Sequence, residues 1–120
     1  PSFSITNNSN APLMISISKF GPAEDSPHTF TDVSPTIFGE EEWTKLNKKD
    51  SESKIALGIA MIDYPEKAPI YAVDVIDPIE LNILKGFDSI NFTLTAKHGQ
   101  SFSRELTAKY SITWILELVQ

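Results

Sequence analysis

Two histidines, two acidic clusters and a few loop aromatics are the residues of this chain whose types could do chemistry. An imidazole can serve as general base or zinc ligand, but it needs company. His28 lies in a proline-containing polar loop and His98 precedes Gly99, and neither has a second His or a carboxylate at metal-ligand spacing. The chain has no cysteine, which removes disulfides, thiolate zinc sites and cysteine nucleophiles together. Neither a Gly-x-Ser-x-Gly elbow nor a glycine-rich phosphate loop is present. Glu40-Glu41-Glu42 lacks the alternating ligand spacing of a calcium loop, and a glycosidase pair normally draws its carboxylates from separate elements. Asp74, Asp77 and Glu80 form a second acidic cluster, and both clusters read as solvated surface. No catalytic residue, metal or cofactor is expected, and the chain does not read as an enzyme.

The aromatics are more informative. A ring can stack on the apolar face of a sugar while neighbouring carboxylates and amides bond its hydroxyls. Trp43 follows the three glutamates, and Tyr64 and Tyr71 bracket the loop of residues 63–68. Trp43, Tyr64 and Tyr71 are the stacking candidates, with Asp63 as the hydroxyl acceptor; core packing is the competing reading, strongest for Trp43. Trp114, amid Ile112, Ile115 and Leu116, reads as core.

The elements that must position these groups show a period of two. Ser16-Ile17-Ser18 and Ser89-Ile90-Asn91-Phe92-Thr93-Leu94-Thr95 alternate polar with apolar, as half-buried strands do. Strands are expected over residues 2–6, 13–20, 29–33, 41–46, 55–62, 70–76, 79–84, 89–97, 100–108 and 110–119. Residues 7–11 form an Asn-rich turn that makes a hairpin of the first two, and His98-Gly99 makes a tight hairpin of 89–97 and 100–108. Residues 47–53 read as a charged turn. Residues 55–62 are nearly all apolar and read as a central strand buried on both faces, with Gly58 marking a bulge or a close backbone approach. Residues 36–46 and 79–87 also carry weak helical spacings. The expected fold is an all-β antiparallel sandwich of roughly nine or ten strands, with at most one short helix, in one domain of residues 1–120.

Composition narrows the partners. The net charge is -6, which disfavours nucleic acid and simple electrostatic docking on anionic membranes. The charge is uneven: Glu24 to Glu42 carries no Lys or Arg, and Lys45, Lys48, Lys49 and Lys54 follow. No apolar run is long enough to span a bilayer. The missing cysteines and a Pro1 that fits trimming after Met point to the cytoplasm; a mature secreted chain would look similar, and Asn7-Asn8-Ser9 and Asn91-Phe92-Thr93 match the glycosylation acceptor pattern.

The opening Phe3-Ser4-Ile5-Thr6-Asn7-Asn8-Ser9-Asn10-Ala11-Pro12-Leu13-Met14-Ile15-Ser16-Ile17, with Trp43 following, resembles the start of small cytosolic fungal β-sandwich proteins, namely the actinoporin-like fruit-body lectins and the aegerolysins. The resemblance covers about the first 45 residues. It implies a non-enzymatic recognition protein and transfers no binding residue. The expected function is therefore recognition of a glycan or lipid headgroup by a defence lectin or toxin-like protein. The alternative is a protein-interaction or structural subunit that forms homo-oligomers through strand edges or an acidic face.

Overall fold

A computed structural model of the chain describes residues 1–119. In chain order the elements are β1 (Ser2–Thr6), β2 (Leu13–Pro22), β3 (Thr31–Asp32), α1 (Glu40–Thr44), α2 (Lys48–Ser51), β4 (Lys54–Met61), β5 (Ile70–Tyr71), a 3-10 turn (Ala72–Asp74), β6 (Ile79–Leu84), β7 (Ser89–His98) and β8 (Tyr110–Leu118). The fold is all-β, with strands in two sheets. One sheet runs β1-β7-β4-β3, with β5 also on β4, and the other runs β6-β2-β8. Every pairing is antiparallel except the two-residue contact of β3 with β4, which is parallel. No helix among the described residues is long and apolar enough to cross a membrane.

Alternation builds the main core. Ile15 and Ile17 of β2, Leu81 and Leu84 of β6, Ile90 and Phe92 of β7, and Ile59 and Met61 of β4 are buried together between the sheets. Fully burying one such side chain contributes about 1.5–3 kcal/mol. Phe92 anchors an aromatic group, stacked on Phe3 at 5.2 Å between ring centres and tilted against Trp114 at 5.2 Å.

β4 is the central strand the sequence predicts. Its large residues Leu57, Ile59 and Met61 belong to the main core, while Ala56 packs in a second core with Trp43 and Leu46. These two sets alternate along the strand, so they lie on opposite faces. Small residues on the second face let other groups approach. A side chain at Gly58 would meet the Tyr71 ring at 2.9 Å and Ile70 O at 3.0 Å. Gly58 therefore marks a close approach; the β4–β7 register runs through it without a bulge.

Several expectations are corrected. Among the described residues eight strands and two short helices replace nine or ten strands and at most one helix. The first two strands are not a hairpin: β1 pairs with β7 and β2 with β6 and β8, so the Asn-rich turn crosses between sheets. Asn7 fixes that crossing. Its buried side chain donates through Nδ2 to Ala11 O (2.7 Å), Leu84 O (3.1 Å) and Lys85 O (3.2 Å), and its Oδ1 accepts from Ser9. The His98-Gly99 hairpin is also absent, because β7 already has β1 on one side and β4 on the other. Residues 100–108 form no strand, and Gly99 instead lies against Ser51 of α2. Residues 70–76 keep only β5 before the 3-10 turn, and residues 47–53 hold α2, whose Asn47 caps the Asp50 N–H at 2.8 Å.

Residues 41–46 are not a strand. The helical alternative over 36–46 is realised as α1. Glu40, Glu41 and Glu42 fill its first turn, where negative charge complements the helix dipole. Phe38, just before the Gly39 cap, packs edge-on against Trp43 at 5.0 Å and 86°. That contact is a hydrophobic staple, which fixes how the chain enters a helix.

Candidate functional site

The outer face of the β4–β7 pair carries a recess of about 450 Å³, lined by Pro35, Thr36, Phe38, Gly39, Glu40, Tyr71 and Lys97. Three parts of the chain build it. Residues 35–39 form the wall, and Trp43 stands behind it. The Trp43 indole donates from Nε1 to Pro35 O at 3.0 Å while its ring supports Phe38. β5 supplies Tyr71, held against β4 where Gly58 makes room. β7 supplies Lys97, the register partner of Ala56.

Across the recess Lys97 Nζ donates to Glu40 Oε1 at 2.7 Å. This bond and the attraction of the ammonium hold the Glu40 carboxyl below its ordinary range. The same bond raises the Lys97 ammonium, with a smaller contribution from Tyr71. Glu40 is therefore an ionised acceptor and Lys97 a charged donor at neutral pH. The Glu40 side chain is 87% exposed, so the pair faces solvent and contributes little to stability. What the pair supplies is an acceptor and a donor beside an aromatic ring.

The four expected site residues have different fates. Tyr71 lines the recess. Trp43 is 3% exposed, so it cannot offer a stacking face, and the expectation that it binds ligand directly is corrected. Its ring goes to the second core because α1 turns it inward with Leu46. Tyr64 is half-buried against the main core, with Lys67 Nζ 5.4 Å from its ring centre. Asp63 spends its carboxylate on Asn91, accepting from the backbone N–H at 2.7 Å and from Nδ2 at 3.2 Å. Neither Tyr64 nor Asp63 is among the recess residues.

Of the recess residues the sequence reading proposed only Tyr71; Glu40 was read as solvated surface, and Phe38 and Lys97 were missed. Phe38 had a legible signal in Phe38-Gly39-Glu40-Glu41-Glu42-Trp43, an apolar residue before a cap, an acidic first turn and an aromatic four positions into the helix. Lys97 had none, because its partner Glu40 is brought to it only by the packing of α1 on the sheet.

In none of the other concavities described do two lining residues form an ion pair with each other. One of about 560 Å³ is lined by Phe30, Ile55, His98, Phe102 and Leu106, with Arg104, Glu105 and Thr107. Its one guanidinium, Arg104, already lies 3.8 Å from Glu52, and the His98 Nδ1 is 2.7 Å from Gly99 O. His28 Nε2 is likewise engaged, 2.6 Å from Glu52 O. Among the described residues no group of three or more His, Cys, Asp or Glu could hold a metal ion. Comparison with protein-family models, curated proteins and solved structures finds no match.

Proposed function

We propose that the chain is a non-enzymatic recognition protein that binds a glycan in the recess of Tyr71, Phe38, Glu40 and Lys97. The observation that carries this reading is the Glu40–Lys97 pair set beside the Tyr71 ring in one recess. A pyranose presents an apolar C–H face and a rim of hydroxyls. An aromatic wall takes the first, and a carboxylate and an ammonium take the second as acceptor and donor. The recess volume of about 450 Å³ falls within the range of small-ligand sites. A phosphate-bearing lipid headgroup would meet the Glu40 carboxylate beside Lys97 on a chain of net charge -6, which favours the neutral sugar. The likeness of the first residues to fruit-body lectins points the same way.

A glycan array followed by calorimetric titration tests the proposal, with a liposome pulldown alongside. Glu40→Ala and Lys97→Ala each remove a charged hydrogen-bonding partner, worth about 1.5–3 kcal/mol, so affinity should fall by about tenfold or more. Tyr71→Leu keeps an apolar group on the second core and removes the stacking face. A blank array, or a bound glycan indifferent to all three changes, refutes the reading. Vesicle binding with a blank array would move it to lipid headgroups. A second reading, self-association through a strand edge, rests on β8.

A further inference from the structure

We propose that β8 is a pairing edge, and that a second copy of this chain lies antiparallel against it about a twofold axis through Trp114. β8 bonds β2 on one side only. Three hydrogen bonds fix which of its backbone groups point toward β2. Lys109 O accepts from Ala23 N–H at 2.8 Å, Thr113 O accepts from Ser18 Oγ at 3.2 Å, and Val119 N–H donates to Pro12 O at 3.1 Å. In an antiparallel strand alternate residues direct both backbone groups to the same side. The register shift in this ladder falls on β2, between Ile17 and Lys19, so the alternation along β8 is unbroken. Tyr110, Ile112, Trp114, Leu116 and Leu118 therefore point their N–H and C=O groups out of the edge.

A twofold pairing of an edge with itself must bring outward-pointing residues opposite one another. Full overlap of the nine-residue β8 with a second β8 centres on a residue, Trp114, so residues pointing the same way oppose one another and the register of greatest overlap also makes hydrogen bonds. It places Leu116 opposite the second copy's Ile112 and Leu118 opposite its Tyr110. Leu116 and Leu118 are 50% and 64% exposed, and this pairing covers both. On the other face Ser111 meets Glu117 and Thr113 meets Ile115, so no like charges oppose.

The remaining edges carry protection that β8 lacks. β6 is bulged against β2, and Lys67 Nζ reaches its Leu81 O at 3.4 Å. β3 and β5 are two residues each and β1 is five. β8 has nine residues with no Lys, Arg or Pro among them, and its one charge, Glu117, faces Ser111 in the proposed pair rather than a like charge. The proposal is independent of the recess.

Sedimentation equilibrium of the full chain gives the first test, and the expected species is a dimer. Leu116→Lys with Leu118→Lys, both at exposed positions, should raise the dissociation constant by about tenfold or more while thermal unfolding shows the fold kept. The register is tested by disulfide. The chain has no cysteine, so Thr113→Cys and Ile115→Cys each carry a single thiol. Facing each other as a non-hydrogen-bonded pair, their Cα atoms would lie about 4.5 Å apart, within disulfide range. Oxidising a mixture of the two variants should give the mixed dimer, and either variant alone should cross-link far less. A chain that stays monomeric up to about 1 mM overturns the proposal. So does a dimer unchanged by the two lysines, and equal cross-linking in the mixed and single samples overturns the register.

Discussion

Replacing Trp43 tests the link between the second core and the recess. Trp43→Phe keeps an aromatic ring between Phe38, Leu46 and Ala56 but removes the Nε1 donor to Pro35 O, bonded at 3.0 Å. Loss of that bond costs about 1 kcal/mol net. The smaller ring leaves a void that adds something under about 1 kcal/mol, giving about 1–2 kcal/mol in all. For a chain of 120 residues the unfolding entropy is about 0.25 kcal/mol per kelvin, so the midpoint should fall by about 4–8 °C. Trp43→Ala empties the second core and should cost about 3–5 kcal/mol, a large share of a typical domain stability. The assay is built into the composition. The chain has two tryptophans, so Trp43→Phe leaves Trp114 as the reporter of the main core, and Trp114→Phe leaves Trp43 as the reporter of the second. In the latter protein acrylamide should quench the indole weakly, because Trp43 is 3% exposed. Strong quenching, or a Trp43→Phe protein as stable as the parent, would refute both its burial and its role behind the Pro35–Phe38 wall.

Four more outcomes are expected. Asn7→Ala leaves Ala11 O, Leu84 O and Lys85 O without their shared donor and should cost about 2–4 kcal/mol in urea unfolding. Gly99→Ala puts a methyl 2.7 Å from Ser51 Cβ and 2.9 Å from Ser51 Cα, so it should cost about 1–3 kcal/mol, and less when combined with Ser51→Gly. Thr95 Oγ1 is buried with no hydrogen-bond partner, so Thr95→Val should be neutral or stabilise by about 1 kcal/mol by the same assay. Tyr110→Phe removes the 2.7 Å bond from the phenol to Asp32 Oδ1 and should cost about 1–2 kcal/mol at neutral pH. Burial already raises the Asp32 carboxyl, and the Tyr110 bond partly offsets that rise. The folded chain therefore holds the Asp32 proton to higher pH than the unfolded chain does. Between that raised value and the ordinary aspartate range, this carboxyl makes the fold more stable as pH falls. Without the phenol the variant's Asp32 is raised further, so the Tyr110→Phe penalty should shrink as pH falls toward the parent's raised value and level off below it, which unfolding at a series of pH values would show.

Strand positions were legible wherever one face of a strand is buried and the other wet, because that environment writes a period of two into the sequence. The central strand was legible for a different reason, its near-continuous apolar run. α1 was misread because Glu41 to Leu46 is too short for a helical period to outweigh an apparent alternation, although its staple and acidic first turn were there to be read. Pairings were not legible. Which strand lies beside β7 depends on edges taken by residues far away, and no local signal at His98-Gly99 reports that β1 and β4 already occupy both sides. The recess was half-legible. Tyr71 and Glu40 stood out as an aromatic and an acidic residue near loops, but Lys97 joins them only through packing.

The crossing of the chain between sheets at Asn7 has a kinetic consequence. It makes adjacent strands partners of remote ones: Thr6 meets Ser89, Leu13 meets Leu84, and Pro22 meets Tyr110. No tight hairpin joins the long strands, so no ladder of appreciable length can close early and cheaply. Loop-closure entropy must be met before those contacts are rewarded, which places this chain among slow-folding topologies. β2 gains its longer partner only when β8 arrives. Until then two apolar strand edges stand open at once, and the time spent in that state, more than the stability of the finished sandwich, sets how readily the chain goes astray during folding.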